Sequence, residues 1–451
     1  MSQLTTEIKA TPVAEKMTQF RWIIMVLIFL VYTIVAADRA NIGIVLPFIK
    51  TEFGMSNTEA GVVVSFFFLA YSIGQIPSGF ALSKLGIRGS LSISLLLTSI
   101  FTGLLGTAGS VFALKVYRFG LGLAEAPLSV GIPATINNWF PPKEKGTATG
   151  LFLAASKFGP VIVPPIGAFI IASYGWREIF YWFAVPGVVL SVIWYILVRN
   201  SPAENPYCSS AEVEYIKADV VITPGKAATR KQYSLGWLDK LIRLRKVTLI
   251  DNNAAVFRSW NIWGCALGYF CMVGIVMVIL SWIPTYLITV KGFSVIKMGF
   301  VASAPWIGGV AGNILGGWFS DKVLNKRRKP TMFVTAISTV FMMCALIYAP
   351  NDALLLSILL FLTGVLLNFG YSSFAVYSMG VATKEKYPLA HSIVNCGGQA
   401  GGTIAPLITG MILDAYNWDM VFLFLAACSA LCICVISTID EPDNSADAQI
   451  N

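Results

Sequence analysis

Residues 22–50 read WIIMVLIFLVYTIVAADRANIGIVLPFIK. One pair of charges, Asp38 and Arg39, interrupts this apolar stretch before Lys50. At 1.5 Å of rise per residue the stretch can cross roughly 30 Å of hydrocarbon, and it exceeds the roughly 7 to 15 apolar residues of a signal peptide. It therefore predicts a retained membrane-spanning helix with two charges inside it.

The composition of all 451 residues indicates a membrane protein, because 56% are hydrophobic and only 12% are charged. Soluble domains have about 25% charged residues. The eight cysteines all lie after residue 200, mostly singly within apolar segments, and the chain has one histidine and no Cys-x-x-Cys pair. This pattern supports neither a metal site nor a disulfide framework, so no metal or cofactor is expected apart from a coupling proton.

Apolar segments of about 20 residues or more, each long enough to span a bilayer, follow in two sets of six. The first set covers 22–48, 58–82, 89–109, 111–139, 145–171 and 177–199. The second set covers 259–289, 296–319, 330–349, 352–382, 389–413 and 419–438. We therefore predict an all-α polytopic protein of twelve transmembrane helices, with an N-terminal bundle (1–199), a cytoplasmic linker (200–258) and a C-terminal bundle (259–451).

The net charge of +9 could indicate nucleic acid or anionic lipid, but the positions of Lys and Arg indicate membrane topology instead. Short basic loops stay in the cytoplasm. With a cytoplasmic N-terminus, that side carries Lys9, Lys16, Arg21, Lys84, Arg88, Lys143, Lys145, nine linker residues, Lys326-Arg327-Arg328-Lys329, Lys384 and Lys386. The opposite side carries only Lys50, Lys115, Arg177, Lys291 and Lys297. We expect both termini in the cytoplasm, an inner (plasma) membrane location, lipid contact and no nucleic-acid partner.

The central linker contains the basic residues Lys240, Arg243, Arg245 and Lys246. They fit an amphipathic or partly disordered solvated linker, or alternatively contact with lipid head groups or a partner.

The two halves of the chain resemble each other, as in many transporter folds. Three matches occur in the same order: Tyr174-Gly175-Trp176 with Tyr416-Asn417-Trp418, Gly159 and Pro164 with Gly401 and Pro406, and Gly79-x3-Ser83-Lys84 with Gly317-x3-Asp321-Lys322. They predict two pseudo-symmetric six-helix bundles with a cavity between them.

Five charged residues lie too deep in their segments to reach an interface: Asp38, Arg39, Arg118, Glu125 and Lys157. A charge at the middle of a membrane helix costs about 2.5 to 3.5 kcal/mol, so such residues normally face a polar cavity and mark substrate or proton paths. Arg118 and Glu125 are seven residues apart and share one helix face. The alternatives are purely structural: an interhelical ion pair for Asp38 and Arg39, and an intrahelical bridge between Arg118 and Glu125.

Lys157, next to Ser156, lies about 18 Å of helical rise from the start of the fifth segment. It could bind a substrate carboxylate, or it could be a structural partner of Asp38 or Glu125. An anion that binds Arg39 or Lys157 draws that cation away from a neighbouring carboxylate, so protonation and anion binding favour each other. This reasoning predicts proton symport.

The second half has no charge at comparable depth, but it carries neutral polar side chains that suit hydroxyl groups. They are Tyr269, Asn368, Tyr371, Ser372, Ser373, Tyr377, Asn395 and Gln399, and Tyr71 with Gln75 extends the set to the first half. A polyhydroxylated substrate is therefore expected.

Several motifs carry a resemblance to a known family: Asp38-Arg39-Ala40-Asn41, Arg118-Phe119-Gly120 to Glu125-Ala126-Pro127, Asn138-Trp139-Phe140-Pro141, Gly175-Trp176-Arg177 and Trp282-Ile283-Pro284-Thr285-Tyr286-Leu287. Over nearly its whole length the chain resembles the anion:cation symporter branch of the major facilitator superfamily. That branch includes bacterial galactonate, hexuronate and glucarate transporters and animal sialin.

The resemblance implies proton-coupled uptake of a sugar acid by a monomeric carrier. It implies that Asp38 and Glu125 carry protons, that Arg39 contacts the substrate carboxylate and that Arg118 organises Glu125. It implies that Tyr71, Gln75, Ser372 and Asn395 line the sugar site, and that Lys84, Arg88 and Asp321 act in gating. From the residues themselves we add Ser156, Lys157 and Gln399 to the candidate substrate-binding set.

The chain departs from the family pattern at three places. Ala36 stands where the galactonate transporter has a tyrosine, Ser83 stands where the loop motif has an aspartate, and Lys157 belongs to no family motif. Lys157 could therefore select a different acid, for instance one with a second carboxylate.

Other functions remain open at this point. An anion exchanger would keep the arginines without needing a protonatable pair, and the substrate could be a carboxylate other than a sugar acid. A non-transporting membrane sensor is disfavoured, because a sensor would be expected to have a long extramembrane domain and none is predicted between the apolar segments. A membrane enzyme is disfavoured because no Ser-His, His-Glu-x-x-His or Cys nucleophile pattern occurs.

Overall fold

The computed structural model describes residues 17–217, 239, 242–245, 247–324, 327–383 and 385–442. The predicted cytoplasmic termini lie outside the described residues, as do the linker residues Lys240 and Lys246 and the loop residues Lys326 and Lys384.

Twelve membrane helices, labelled α1 to α12 here, form the described part of the chain, as the sequence predicts. In the first half they are α1 (Phe20–Phe53), α2 (57–85), α3 (87–106), α4 (Val111–Trp139), α5 (Lys145–Tyr174) and α6 (Trp176–Leu197). In the second half they are α7 (Trp260–Thr289), α8 (Val295–Trp318), α9 (Lys329–Ile347), α10 (Ala353–Phe369 and Tyr371–Val381), α11 (Tyr387–Ala415) and α12 (Trp418–Thr438).

The boundary between α2 and α3 is a kink rather than a loop. The two helices follow each other without an intervening loop between Asn57 and Gly106, and only Gly86, with φ of 69° and ψ of 177°, leaves the helical region. A left-handed φ favours glycine because other residues meet a Cβ clash there. Asn200, just beyond the end of α6, accepts a 3.0 Å hydrogen bond from the Arg88 backbone N–H and so fixes the start of α3.

Ten helical stretches are apolar and long enough to cross a membrane by themselves, and these include every membrane helix except α2 and α11. The two exceptions pack against each other across the middle of the molecule. A helix that faces another helix needs less apolar surface than one that faces lipid. Asn395, Gln399 and several glycines account for the lower hydropathy of α11.

The described linker contains short elements: a 3₁₀ turn (Pro202–Glu204), helices Ser210–Lys217 and Asn253–Arg258, and a strand β1 (Leu244–Arg245). A second strand β2 (Glu441–Pro442), after α12, pairs with β1 in parallel, with Leu244 opposite Glu441. The end of the linker is therefore joined to the residues after the last helix.

The most extensive contacts between the two halves are made by three helix pairs, α1 with α7, α2 with α11 and α5 with α8. Their closest approaches lie where α5 and α11 end and α2 and α8 begin. A Cβ on Gly410 would lie 2.3 Å from the Asn57 carbonyl oxygen, and one on Gly299 would lie 2.5 Å from the Pro164 carbonyl oxygen. Backbones touch at this end of the molecule, which we call the sealed end.

At the opposite end, the predicted gating residues interact within their own halves. The Arg88 guanidinium lies 4.1 Å from the Tyr195 ring centroid, and Asp321 forms a 2.9 Å ion pair with Arg328. Lys84 is exposed. Within the described residues, none of the three gating residues forms an ion pair with the other half.

Candidate functional site

Arg39 on α1 and Glu125 on α4 form an ion pair near the middle of the first half. The carboxylate of Glu125 is fully buried, whereas the Arg39 side chain is 20% exposed. The second carboxylate oxygen of Glu125 has no hydrogen-bond partner among the described residues. The Glu125 end of the ion pair is therefore shielded from solvent, whereas the Arg39 end is partly accessible.

Asp38 lies beside this pair and is buried, with 3% of its surface exposed. The Asn41 side-chain amide donates a 3.4 Å hydrogen bond to its carboxylate. Asp38 also interacts electrostatically with Glu125, Arg118 and Arg39. These four residues, Asp38, Arg39, Arg118 and Glu125, form one group that we call the charge cluster.

Arg118 is completely buried in the charge cluster. Its guanidinium lies 4.5 Å from the Phe67 ring centroid, and its Nε donates a long, 3.5 Å hydrogen bond to the Val63 carbonyl. Nη1 and Nη2 have no hydrogen-bond partner among the described residues. Arg118 acts on Glu125 through space, and no direct intrahelical bridge forms between the two.

Two aromatic side chains frame the Arg39 guanidinium. The Tyr71 ring centroid lies 4.7 Å away, and Tyr32 interacts with Arg39 electrostatically. Tyr32 is not among the residues predicted for the site, although its position seven residues before Arg39 places both on one helix face. Tyr32 lies one turn from Ala36, where the chain lacks the family tyrosine. Gln75, one turn beyond Tyr71, is half-buried.

Lys157 on α5 points to the second half and not to Asp38 or Glu125, so the structural partnership with those acids that the sequence allowed is wrong. Its Nζ donates a 3.3 Å hydrogen bond to Oδ1 of Asn368 on α10 and lies 5.0 Å from the Tyr371 ring centroid. The hydroxyl of the neighbouring Ser156 donates to the Leu153 carbonyl of its own helix, at 2.6 Å.

The second half contributes neutral groups. Ser372, Asn395 and Gln399 are half-buried, and the Tyr269 and Tyr371 ring centroids lie 5.3 Å apart. Asn313 on α8, which the sequence analysis overlooked, donates a 3.5 Å hydrogen bond to Asn368. A lone asparagine in an apolar helix is the signal that could have identified it. The described residues contain no group of three or more His, Cys, Asp or Glu side chains that could hold a metal.

A twelve-helix membrane protein with two similar halves and deep charges in one of them has the architecture of secondary transporters. The Major Facilitator Superfamily model matches residues 28–349 and 325–450. The chain belongs to this superfamily and is a transporter, not an enzyme.

Individual relatives agree with this assignment. The chain is 31% identical to the probable galactarate/D-glucarate transporter GudP of Bacillus subtilis, over 93% of this chain and 92% of the relative. It is 27% identical to the D-galactonate transporter of Escherichia coli O6:H1, over 92% of this chain and 94% of the relative. Among solved structures, a D-xylose-proton symporter aligns with a TM-score of 0.73 at 17% identity, over 95% of this chain and 99% of the other.

Proposed function

We propose that this protein imports a sugar acid, an aldonate, hexuronate or aldarate, by proton symport with alternating access. The names of the relatives support the substrate class, because they include galactarate, glucarate and galactonate transporters. The observation that carries the mechanism is the ion pair between the partly exposed Arg39 and the fully buried Glu125.

Arg39 binds the substrate carboxylate in this mechanism. A guanidinium matches a carboxylate with two parallel hydrogen bonds, and aromatic faces hold its plane in place. Tyr71 supplies such a face at 4.7 Å. Because 20% of the Arg39 side chain is exposed, an anion can reach it without unfolding of the helix.

Glu125 competes with the substrate for the same guanidinium. When Glu125 takes a proton it becomes neutral and its attraction for Arg39 falls, so Arg39 can turn to the substrate carboxylate. A substrate on Arg39 in turn removes the cation that kept Glu125 ionised. Proton binding and substrate binding therefore promote each other by the same free energy. Asp38, buried in the same cluster, provides a second proton-accepting group.

In this mechanism the neutral polar side chains of the two halves recognise the hydroxyl groups of the substrate. Tyr71 and Gln75 belong to the first half, and Ser372, Asn395 and Gln399 to the second. A binding site with a charged anchor and several neutral hydrogen-bonding groups fits a polyhydroxylated acid better than an apolar acid. The Ser156 hydroxyl donates to the Leu153 carbonyl of its own helix, so its oxygen is left as an acceptor for a substrate hydroxyl.

The sealed end corresponds to the outer face of the membrane if the N-terminus is cytoplasmic, as the distribution of Lys and Arg favours. The described conformation is then the one open to the cytoplasm. Opening of the sealed end and closing of the opposite end would complete alternating access, with each half moving as a unit around the site. We place this monomeric carrier in the cell inner membrane with both termini inside.

Uptake of radiolabelled galactonate, galacturonate and galactarate into proteoliposomes tests the proposal. We expect at least one of them to accumulate above equilibrium when the outside is acidic, with proton entry reported by a trapped pH dye. Accumulation should disappear when the pH gradient is collapsed. Saturable exchange that ignores the pH gradient would instead identify an anion exchanger and refute proton symport.

A further inference from the structure

Lys157 is the deep charge that the proposed proton and carboxylate chemistry does not use. It is half-buried on α5 and faces Asn368 and Tyr371 of the second half. Within the described residues it forms no ion pair. An ammonium group has three donors, and the structure supplies a single 3.3 Å hydrogen bond. Its charge therefore lacks the compensation that interior cations normally have.

The other deep charges balance one another. The charge cluster contains two arginines and two carboxylates, which are held together by the ion pair and by through-space interactions. Lys157 adds one positive charge that has no counterpart. An anionic group that entered beside Lys157 would relieve its desolvation, whereas the same group beside Glu125 would be repelled.

The positions of Lys157 and Arg39 follow from the packing of α5 on α1, which run parallel. A Cβ on Gly159 would lie 2.7 Å from the Ala37 backbone nitrogen, and one on Gly167 would lie 3.4 Å from Ile44. Lys157 is therefore level with the middle of α1, below Arg39 by roughly 6 to 8 Å of helical rise. An offset of this size between the two positions is comparable to the length of a linear six-carbon acid.

Tyr371 relates the two cations to each other. Its ring centroid lies 5.0 Å from the Lys157 ammonium, and its side chain also interacts electrostatically with Arg39.

Asn368 is fixed in an orientation that suits an anion site. Its amide nitrogen donates a 3.0 Å hydrogen bond to the Gly364 carbonyl, so its oxygen is turned to the Lys157 ammonium. The Asn313 amide donates to the same oxygen at 3.5 Å. Lys157 is held in place by a neutral acceptor and keeps two donors for an incoming carboxylate.

We propose that Lys157, positioned by Asn368, is a second anion subsite, and that the preferred substrate is a dianion with an acid group at each end. Arg39 takes one carboxylate and Lys157 the other, while the hydroxyls between them face the neutral side chains. This inference rests on the proposed function, because it assigns the second end of the molecule that Arg39 binds. Lys157 and Asn368 belong to different halves, so a bound dianion connects the halves.

Three acids with the same sugar configuration distinguish binding at one end of the molecule from binding at both ends. Galactonate and galacturonate carry one carboxylate, and galactarate carries two. Their binding to purified protein is measured by calorimetry for the wild type, Lys157→Met and Lys157→Arg. Since a hydrogen bond to a charged group contributes about 1.5 to 3 kcal/mol, Lys157→Met should lower the affinity for galactarate about 10- to 150-fold and leave the affinities for the two monoacids largely unchanged. Lys157→Arg should restore most of the galactarate affinity.

Asn368→Asp provides a second test that keeps the side-chain shape. It places a permanent carboxylate beside the Lys157 ammonium, so galactarate should no longer bind more tightly than galactonate, while galactonate should still bind. Lys297→Met, which removes an exposed lysine at the sealed end, is the matched control and should not alter the preference.

The outcomes distinguish this inference from the proposed function. Wild-type protein that binds only the monoacids, or Lys157→Met protein that loses all three acids equally, would refute the second subsite and leave sugar-acid transport standing. Wild-type protein that binds none of the three acids would refute both proposals. Retained melting temperature in the variants shows that a lost affinity is not lost folding.

Discussion

Asp414 at the end of α11 accepts a 2.8 Å hydrogen bond from the backbone N–H of Asn57 at the start of α2. The same carboxylate accepts a 2.7 Å hydrogen bond from the Thr58 N–H. A side chain of the second half therefore caps a helix of the first half, where free N–H groups and the helix dipole favour an anion. This cap exists only while the sealed end is closed.

Asp414→Ala should therefore shift the protein to the conformation that is open at the sealed end. Asp414 is exposed, and a cap of this kind contributes about 0.5 to 2 kcal/mol, which corresponds to roughly a 2- to 30-fold change in the ratio of the two states. Spin labels at Gly109 and Asn351, in exposed loops of the two halves at that end, should show a longer distance in the variant.

Glu59→Ala is the control for the Asp414 variant. Glu59 forms a capping box with Ser56 at the same helix start, but entirely within the first half. Its loss should weaken the helix start without moving the label distance. Equal lengthening in both variants would mean that any damage to this helix start opens the sealed end, and that the cross-half cap has no special role.

Gly299 tests the second contact of the sealed end. A Cβ there would lie 2.4 Å from the Ala168 Cβ and 2.5 Å from the Pro164 carbonyl oxygen, so Gly299→Leu cannot close against α5. We expect uptake to be lost in proteoliposomes while substrate binding to detergent-purified protein is retained. Gly317→Leu on the same helix meets nothing within 4 Å and should transport normally. Loss of both binding and uptake in Gly299→Leu would indicate misfolding.

The sequence predicts much of this architecture but not its pairings. Helix positions and the depth of the five charges follow from hydropathy and segment length, because both are local properties. The Arg39–Glu125 pair and the Asp414 cap depend on which helices become neighbours, and helical periodicity defines a face without naming the helix it meets.

The burial of Lys329, at the start of α9, could not be predicted from the sequence either. In the sequence Lys329 is one of four consecutive basic loop residues, and these indicate only the membrane topology. The structure buries Lys329 completely, and its Nζ donates to the carbonyls of Ile242 and Ile439 at 2.7 and 2.6 Å. Those acceptors come from the linker and from the end of α12, which are distant in sequence. Only the folded chain brings them to one lysine.

Acidification should weaken the ionic contact between Glu144, in the loop before α5, and Arg21 at the start of α1. Glu144 lies outside the membrane-spanning helices, and its 2.7 Å hydrogen bond from Arg21 lowers its pKa. A carboxyl with a lowered pKa stabilises the fold above its unfolded pKa of about 4.3, and this stability is lost as the pH falls through the native pKa. The melting temperature of Glu144→Gln should therefore be lower than wild type at pH 7 and should converge with it in acid.

The matched control for Glu144→Gln is Glu204→Gln, because Glu204 is exposed and forms no ion pair among the described residues. It should follow the wild-type melting curve at every pH. A difference in melting temperature between Glu144→Gln and wild type that stays constant down to pH 3 would contradict an ionic contribution from Glu144. In that case the loss would reflect packing alone.

Glu125→Gln separates proton coupling from substrate recognition, because glutamine keeps the shape of the side chain but cannot carry a proton. The variant mimics protonated Glu125, so Arg39 stays available to the substrate. We expect substrate exchange across proteoliposomes to continue, accumulation driven by a pH gradient to be abolished, and binding to lose its dependence on pH. Arg39→Gln should instead lose exchange and binding together, since the carboxylate anchor is gone. If Glu125→Gln still accumulates substrate with proton entry, Glu125 is not the coupling group. Asp38, the other buried carboxylate of the charge cluster, would then have to carry the proton, and Asp38→Asn should abolish accumulation.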